Sequence, residues 1–249
     1  MEIDGSVAVV TGAATGTGQA IARRLAGSGA RLVLADIADC AQTLRTVQDV
    51  GADATAVTAD LRDDAGIAQV VDTARQRFGG LQILVNNAGG GQPTVRYPHA
   101  TATQWSAVLD LNLRTPMLAT QLALPTMSTS GGVVVNIAST AGFDHAAYEW
   151  PEYAAAKAGL IRFTTAMGDL PRQANVRVTC VVPDWVRTAR AEAELAAMTA
   201  DQRAARPAPI PLPVFTAAVL ALIRDDDLSG HVLVLRPDSD VPGNFPQAR

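Results

Sequence analysis

The stretch VAVVTGAATGTGQAIARRLA, residues 7–26, decides the fold of this chain. It begins with an apolar run typical of a buried parallel strand and ends with apolar residues at helical spacing. The glycine-rich turn between them suits a dinucleotide, because glycines let the backbone bend and let a pyrophosphate approach, and a helix N-terminus offers unpaired N–H groups. An ordinary glycine-rich connection is the alternative. The residues predicted to contact such a ligand are Gly12, Thr15, Gly16, Thr17 and Gly18.

Strand-like and helix-like runs alternate along the rest of the chain. The alternation predicts an α/β fold, with a seven-stranded parallel sheet that carries helices on both faces. No repeat and no linker divides the sequence, so residues 1–249 are expected to form a single domain. The runs predicted as strands are 7–10, 31–35, 54–58, 82–85, 133–138, 176–182 and 231–235.

An acidic residue, Asp36, ends the second strand-like run, 24 residues after Gly12. An acid at this place can accept hydrogen bonds from both hydroxyls of an adenosine ribose, and it repels a 2′-phosphate. The next residues, Ile37 and Ala38, provide no cation that would bind a phosphate. Asp36 therefore predicts NAD as the cofactor in preference to NADP. The alternative is that Asp36 caps the next helix, a role that Asp39 could also take.

Tyr153 and Lys157 stand four residues apart in the run YAAAK, and Ser139 follows an earlier apolar run. Residues at this spacing face the same side of a helix. A Lys ammonium beside a phenol lowers the tyrosine pKa, which is about 10 in a free side chain. Such a phenol serves as general base for an alcohol or general acid for a ketone, and the Ser139 hydroxyl can bond to the same substrate oxygen. The alternative is a solvated pair on an ordinary helix.

Charge and composition argue against several classes of protein. The formal net charge is −4 and no basic stripe alternates with aromatic residues, so no nucleic-acid partner is expected. No apolar run reaches the roughly 20 residues of a membrane span, and a strand is predicted close to the N-terminus, so no membrane association and a cytoplasmic location are expected. Cys40 and Cys180 are expected to be free, buried thiols. The scattered residues His99, His145 and His231 have no metal-ligand spacing, so no metal site is predicted.

Further motifs follow in a fixed order. Asp60-Leu61 comes after the third strand-like run, Asn86-Asn87-Ala88-Gly89 comes after the fourth, and Asn112 precedes Ser139. With the glycine-rich turn and the YAAAK run, these motifs resemble the short-chain dehydrogenase/reductase family over nearly the whole chain. The positions that match the family's cofactor contacts are Gly12, Thr15, Gly16, Thr17, Gly18, Asp36, Ile37, Asp60, Leu61, Asn87, Ala88, Gly89, Tyr153, Lys157, Pro183, Val186 and Thr188.

The resemblance implies a doubly wound Rossmann-type fold that binds NAD and acts on a small secondary alcohol or ketone. It implies that Tyr153 exchanges the proton and that Ser139 orients the substrate oxygen. Lys157 would also bind the nicotinamide ribose, and Asn112 would hold a relay water. The family pairs helices, expected here near 101–127 and 153–172, in a homodimer or homotetramer. A non-catalytic NAD-binding sensor or scaffold with the same fold is the alternative function.

The sequence departs from the family pattern in two places. Asp184 follows Pro183 where the family has glycine, and residues 236–249 form a polar tail. Asp184 is expected either to point at the nicotinamide and favour its cationic, oxidised form, or to cap the short helix that follows. Residues 184–213 are expected to form the substrate mouth, with a rigid connector as the alternative for their Pro-rich part. The predicted pocket residues are Phe143, Trp150, Asp184 and Trp185, and His145 is assigned to a surface loop.

Overall fold

The computed structural model describes residues 1–90, 95–144 and 148–239. The predicted loop residue His145 and residues 240–249 of the predicted tail lie outside these ranges. Seven strands form one sheet within the described chain: β1 Val7–Thr11, β2 Arg31–Asp36, β3 Ala54–Thr58, β4 Ile83–Asn86, β5 Gly132–Ile137, β6 Val176–Pro183 and β7 Val232–Leu235. Their order is β3-β2-β1-β4-β5-β6-β7, and every neighbouring pair is parallel.

The predicted fold class is confirmed, and each strand lies within one residue of its predicted bounds. Every residue of β1 and of β6 is buried, as expected of strands covered on both faces. Alternate side chains point to opposite faces of a sheet. Val10 thus packs in a core with Phe215, while Val9 packs in a second core with Ile67.

Helices cover both of these faces. The helices α1, α2 and α10 contribute to the first core, and α3 and α5 contribute to the second. The helices are α1 Gly16–Ala26, α2 Ala41–Gln48, α3 Asp64–Phe78, α4 Ala102–Leu109, α5 Thr115–Met127, α6 Pro151–Ala166, α7 Leu170–Ala174, α8 Ala189–Ala197, α9 Ala200–Ala204 and α10 Leu212–Arg224.

Two predicted helices differ from the observed ones. The helix predicted over 101–127 is interrupted by a π-helical turn, Asp110–Arg114. The Asn112 side-chain amide donates to the Val108 carbonyl at 2.9 Å, and a side-chain donor on the preceding turn disturbs the regular backbone ladder. The helix predicted over 153–172 ends at Ala166, and α7 follows as a separate short helix.

The strand order creates a crevice at the carboxyl ends of β1 and β4, because the chain leaves β1 towards β2 on one side and enters β4 on the other. Gly12 follows β1 and adopts a φ of +66°. A Cβ atom on Gly12 would lie 2.9 Å from the Ala88 Cα atom beyond β4, and one on Gly18 would lie 2.0 Å from the Gly12 carbonyl oxygen. The turn therefore closes only with glycine at these two positions.

Cys40 and Cys180 are free and buried, which confirms that prediction. Within residues 1–90, 95–144 and 148–239, no helix is long and apolar enough to cross a membrane. Over the same ranges no group of His, Cys, Asp and Glu is placed to hold a metal ion.

Gly18→Ala should destabilise the protein, because the added methyl group overlaps the Gly12 carbonyl, which belongs to backbone and cannot rotate away. We expect a loss of at least about 2 kcal/mol in the free energy of unfolding, measured by urea denaturation. Gly27→Ala is the matched control at the other end of α1, since its Cβ would meet no atom closer than 3.6 Å and its φ is −66°. Equal stabilities of the two variants would contradict the packing described for the turn.

Candidate active site

A cavity of about 750 Å³ opens at the carboxyl ends of β1, β2 and β4. The glycine-rich turn and the first residues of α1 form part of its wall. Thr15 is the N-cap of α1 and makes no side-chain capping hydrogen bond, so no side chain competes for the first amides of this helix. The predicted cofactor residues found in the wall are Gly12, Thr15, Gly16, Thr17, Asp36, Ile37, Asp60, Leu61, Asn87, Ala88, Gly89 and Thr188.

Five other predicted cofactor residues are not part of this wall. Gly18 packs closely against the Gly12 carbonyl. Val186 packs in the first core, and Pro183 is the buried last residue of β6. The remaining two, Tyr153 and Lys157, belong to a second cluster of polar side chains at the same edge of the sheet.

Both carboxylate oxygens of Asp36 accept hydrogen bonds from backbone amides. Oδ2 accepts a hydrogen bond of 2.9 Å from the Ala14 amide, and Oδ1 accepts one of 2.9 Å from the Ala38 amide. The first bond ties the end of β2 to the glycine-rich turn. It is Asp39 that bonds to the first residue of α2, with Oδ1 2.8 Å from the Ala41 amide. The capping alternative for Asp36 is therefore wrong, and its carboxylate faces the cavity.

Thr11 and Asn87 join the carboxyl ends of β1 and β4. The Thr11 hydroxyl accepts from the amides of Asn87 and Ala88, each at 2.9 Å. The Asn87 side-chain amide donates to the Thr11 carbonyl at 2.9 Å, and its Oδ1 accepts from the Thr17 hydroxyl at 2.8 Å. These bonds fix the cavity floor before any ligand arrives.

Lys157 is buried at the carboxyl end of β5. Its Nζ donates to the Ile137 carbonyl at 2.9 Å, and only 4% of the residue is exposed. A Cβ atom on Gly89 would lie 2.8 Å from Asn112 Oδ1 and 3.1 Å from Lys157 Nζ, so both side chains approach the same glycine. Asn112 Oδ1 in turn accepts from the Gly90 amide at 3.0 Å. The predicted residues Lys157, Asn112 and Gly89 thus meet at one place.

Tyr153 lies beside Lys157 on α6, with the ammonium 5.5 Å from the centroid of the phenol ring. The Ser139 side chain lies close enough to the Tyr153 hydroxyl to lower the pKa of the phenol. Ser139 is fixed at the N-cap of a 3₁₀ turn, where its Oγ accepts from the Ala141 amide at 3.2 Å. The four predicted catalytic residues therefore form one cluster, built from the 3₁₀ turn after β5, from α6 and from the π-helical turn.

The ionisation of this cluster differs from the sequence-based expectation. Burial raises the pKa of Tyr153 to about 12, an effect to which Tyr148 adds and which the Ser139 side chain opposes. Burial also lowers the pKa of Lys157 to about 8. The prediction that Lys157 lowers the Tyr153 pKa is wrong, because loss of hydration disfavours the charged form of both groups.

The comparisons with known proteins bear directly on this arrangement. A sequence model of the family described as short chain dehydrogenase matches residues 6–199. The chain belongs to the short-chain dehydrogenase/reductase family. It is an oxidoreductase that acts on alcohol- or ketone-type substrates, and the family uses nicotinamide cofactors.

Relatives within the short-chain dehydrogenase/reductase family act on varied substrates. The chain is 34% identical to cis-4-hydroxycyclohexanecarboxylate dehydrogenase from Sinomonas cyclohexanicum, over 90% of each chain. It is also 34% identical to 2-dehydro-3-deoxy-D-gluconate 5-dehydrogenase from Escherichia coli strain K12, over 75% of this chain and 74% of that protein. Carveol dehydrogenase from Mycobacterium avium in complex with NAD superimposes with a TM-score of 0.83 at 25% identity, covering 95% of this chain and 98% of that one.

Sequence reasoning missed Arg62, which also lies in the wall of the cavity. Its Nε lies 3.0 Å from Asp60 Oδ1 and 3.1 Å from Oδ2, and Nη2 bonds to Oδ2 as well. This hydrogen bond lowers the pKa of Asp60. The cavity wall that includes Asp36 therefore also holds a cation, and this cation is paired with Asp60. The other wall residues that sequence reasoning missed are Ala59, Gly90, Gln104, Ala107, Val108, Leu111, Ala189 and Arg190.

Three of the four predicted pocket residues are aromatic. Two of them contact other side chains, and the third is exposed. Trp150 packs against Tyr148, with ring centroids 5.8 Å apart, and Trp185 contacts Arg206. Phe143 is 46% exposed. The structure describes the chain around these residues except at positions 145–147.

Asp184 does not cap the helix that follows it. Its Oδ1 accepts from the Trp185 amide at 2.8 Å, while Thr188 is the N-cap of α8 and accepts from the Ala191 amide. The capping alternative is therefore wrong. The expectation that Asp184 favours oxidised nicotinamide stays a prediction.

Lys157→Met should raise the stability of the protein at neutral pH while removing a functional group. The unfolded chain keeps the Lys157 proton up to the usual pKa of 10.5, and the folded chain keeps it only to about 8. The contribution of Lys157 to the free energy of unfolding therefore rises with pH between about 8 and 10.5. Below pH 8 the folded state carries the full cost of a buried charge. We expect a gain of about 1–2 kcal/mol at pH 7 and a flatter pH dependence above pH 8, measured by urea denaturation.

Arg162→Met is the control for this experiment. Arg162 is an exposed cation on the same helix, and within the described part of the chain its guanidinium hydrogen-bonds only to the Thr165 hydroxyl. It should change neither the stability nor its pH dependence by more than a few tenths of a kcal/mol. A Lys157→Met variant that is less stable than wild type at pH 7, with an unchanged pH profile, would contradict the buried-charge account.

Proposed function

We propose that the chain is an NAD-dependent enzyme that moves a hydride between nicotinamide and a secondary alcohol or ketone. The observation that carries this proposal is the buried Lys157 ammonium, 5.5 Å from the centroid of the Tyr153 ring. Burying a charge costs several kcal/mol, which a hydrogen bond to the Ile137 carbonyl does not offset. A protein that only bound NAD, as a sensor or scaffold, could use Lys157 for the ribose but would have no need of the phenol, the serine and Asn112 as well.

The residues that would hold NAD are those of the cavity wall. The turn before α1 suits a pyrophosphate, because its first amides have no side-chain cap and Gly16 adopts a φ of +59°. Asp36 suits the adenosine ribose, since each carboxylate oxygen accepts one amide and retains a lone pair for a hydroxyl. Lys157 would bind the nicotinamide ribose. When bound, the nicotinamide supplies the hydride acceptor or donor.

Tyr153 is proposed as the residue that exchanges the proton. In ketone reduction its hydroxyl donates to the developing alkoxide, and a pKa of about 12 keeps the phenol protonated for that role. In alcohol oxidation its oxygen accepts the substrate's hydroxyl proton, and a positive charge nearby makes the phenolate easier to form. Ser139 would hold the same substrate oxygen through its hydroxyl.

Asn112 is proposed to support Lys157 through a relay water. Its side-chain amide donates to the carbonyls of Gly90 and Val108, both at 2.9 Å, so its position is fixed. Gly89 carries no side chain between Asn112 Oδ1 and Lys157 Nζ. π-Helical turns of the kind that carries Asn112 occur frequently at functional sites.

The relatives support a small alcohol or ketone as substrate and NAD as cofactor. Two of them are named for hydroxy- or oxo-carboxylates, and carveol dehydrogenase was solved with NAD. We also propose that the chain works as one cytoplasmic domain and pairs through α4, α5 and α6 in a homodimer or homotetramer. Met117 on α5 is 42% exposed, which suits such a contact.

NAD should be preferred over NADP by more than about tenfold in kcat/KM, or about 1.4 kcal/mol, because Asp36 would meet the 2′-phosphate. Steady-state oxidation of a secondary alcohol with each cofactor measures this ratio. Asp36→Asn should narrow the preference, since it removes the charge and keeps the size. Asp39→Asn is the control, because Asp39 bonds to the α2 backbone instead. Equal efficiency of wild type with both cofactors would overturn the assignment.

Tyr153→Phe should lower turnover by at least about 100-fold while NAD affinity stays within about twofold, since one hydroxyl is lost and the ring remains. Turnover is measured at alkaline pH across secondary alcohols, and NAD affinity by calorimetry. Tyr148→Phe is the control, because its ring stacks on Tyr153 with centroids 6.1 Å apart. If Tyr153→Phe kept its activity and Tyr148→Phe lost it, Tyr148 would be the proton carrier.

A further inference from the structure

The segment after β6 forms a loop that is closed at its base. Val186 and Ile210 form an isolated parallel bridge, in which the Ile210 amide donates to the Trp185 carbonyl at 2.7 Å and the Arg187 amide donates to the Ile210 carbonyl at 2.8 Å. The helices α8 and α9 lie between these two points. The bridge brings Trp185 and Arg206 together at the base of the loop.

Arg206 is a cation at this base without a carboxylate partner among the residues that the structure describes. Its guanidinium carbon lies 5.8 Å from the centroid of the Trp185 ring, and the residue is exposed. Two other arginines of the loop do have acidic partners: Arg187 lies 3.5 Å from Glu192, and Arg190 lies 2.9 Å from Glu194. The Trp185 ring orients the guanidinium without neutralising it.

Trp185, on which Arg206 lies, comes two residues after the end of β6, and β6 pairs with β5, the strand that leads into Ser139. The Tyr148 ring stacks on Tyr153 at 6.1 Å and 28°. Burial and Glu149 raise the pKa of Tyr148, and the positive charges of Arg190 and Arg206 oppose that rise. Arg206 therefore lies close enough to Tyr148 for its charge to act on the phenol.

Two acids lie near Tyr148, and within the described chain only one of them is paired with a cation. Glu149 forms an ion pair with Arg96 at 3.3 Å, and Asp184, which also raises the Tyr148 pKa, accepts a hydrogen bond from the Trp185 amide. A negatively charged group that arrives at the mouth would thus find Arg206 as a cation with open donors. The flat face of Trp185 beside it suits an apolar ring or chain.

We propose that Arg206 binds a carboxylate on the substrate, so that the enzyme acts on hydroxy acids or oxo acids whose carboxylate lies remote from the reacting carbon. The proposal rests on the proposed function, and it adds the substrate class to it. An arginine suits this role because its planar fork binds a carboxylate through two parallel hydrogen bonds. Trp185 orients the fork, and Tyr148 stacks on the ring of Tyr153.

The test compares a charged substrate with a neutral one of the same shape. 4-Hydroxycyclohexanecarboxylate and its methyl ester are oxidised with NAD by wild type, Arg206→Gln and Arg203→Gln. Arg203 is the matched control, an exposed arginine on α9 that touches no ring in the described chain. We expect wild type and Arg203→Gln to favour the acid over the ester by about tenfold in kcat/KM, and Arg206→Gln to lose that preference.

Calorimetry on the NAD-loaded protein separates this proposal from the proposed function. Cyclohexanecarboxylate should bind wild type about tenfold more tightly than cyclohexanecarboxamide, and Arg206→Gln should bind the two alike. A wild type without a preference for the anion in either assay, or an Arg206→Gln variant that keeps it, would overturn the role of Arg206 even if alcohols are turned over. Absence of turnover with every alcohol would count against the proposed function, and the calorimetric comparison would still decide on Arg206.

Discussion

The burial of the Lys157 ammonium is the interaction on which the site depends. The ammonium donates a hydrogen bond to the Ile137 carbonyl at the end of β5, and the surrounding chain is arranged to accommodate the charge. Gly89 lacks a side chain where Lys157 and Asn112 approach, and the π-helical turn presents Asn112 to the same place. The sheet, the turn and α6 therefore combine to hold a cation in a position that costs stability, as is common for functional residues.

The strand order explains why this cation and the dinucleotide cavity lie at one edge. In a parallel sheet all carboxyl ends meet at the same edge, so the residues that follow β1, β2, β4 and β5 converge there. The Thr11–Asn87 hydrogen bonds lock two of these ends together. The close approach of Gly12 to Ala88 then leaves space on the outer side of the turn for a ligand. The glycines that let the turn pack against the sheet therefore also form part of the cavity wall.

Most of the sheet could be predicted from the sequence, because its strands are continuous apolar runs bounded by turn residues. The Tyr153–Lys157 pair was also visible, since helical spacing alone places it on one side of α6. The direction of the Tyr153 pKa was not, because spacing reports a neighbouring charge but not the depth of burial. The Arg206–Trp185 contact could not be predicted either, since it depends on a bridge between residues far apart in the chain.

The central claim is that Tyr153 is a half-buried phenol whose ionisation responds to the charge of the cofactor. The chain has only three tyrosines, so the absorbance of phenolate, titrated in wild type and in Tyr153→Phe, isolates this residue by difference. The account predicts a pKa near 12 in the protein alone, a shift to lower pH with NAD and a smaller shift with NADH. A Tyr153 pKa that is the same with and without either cofactor would contradict this expectation. So would the same ionisation seen again in Tyr153→Phe.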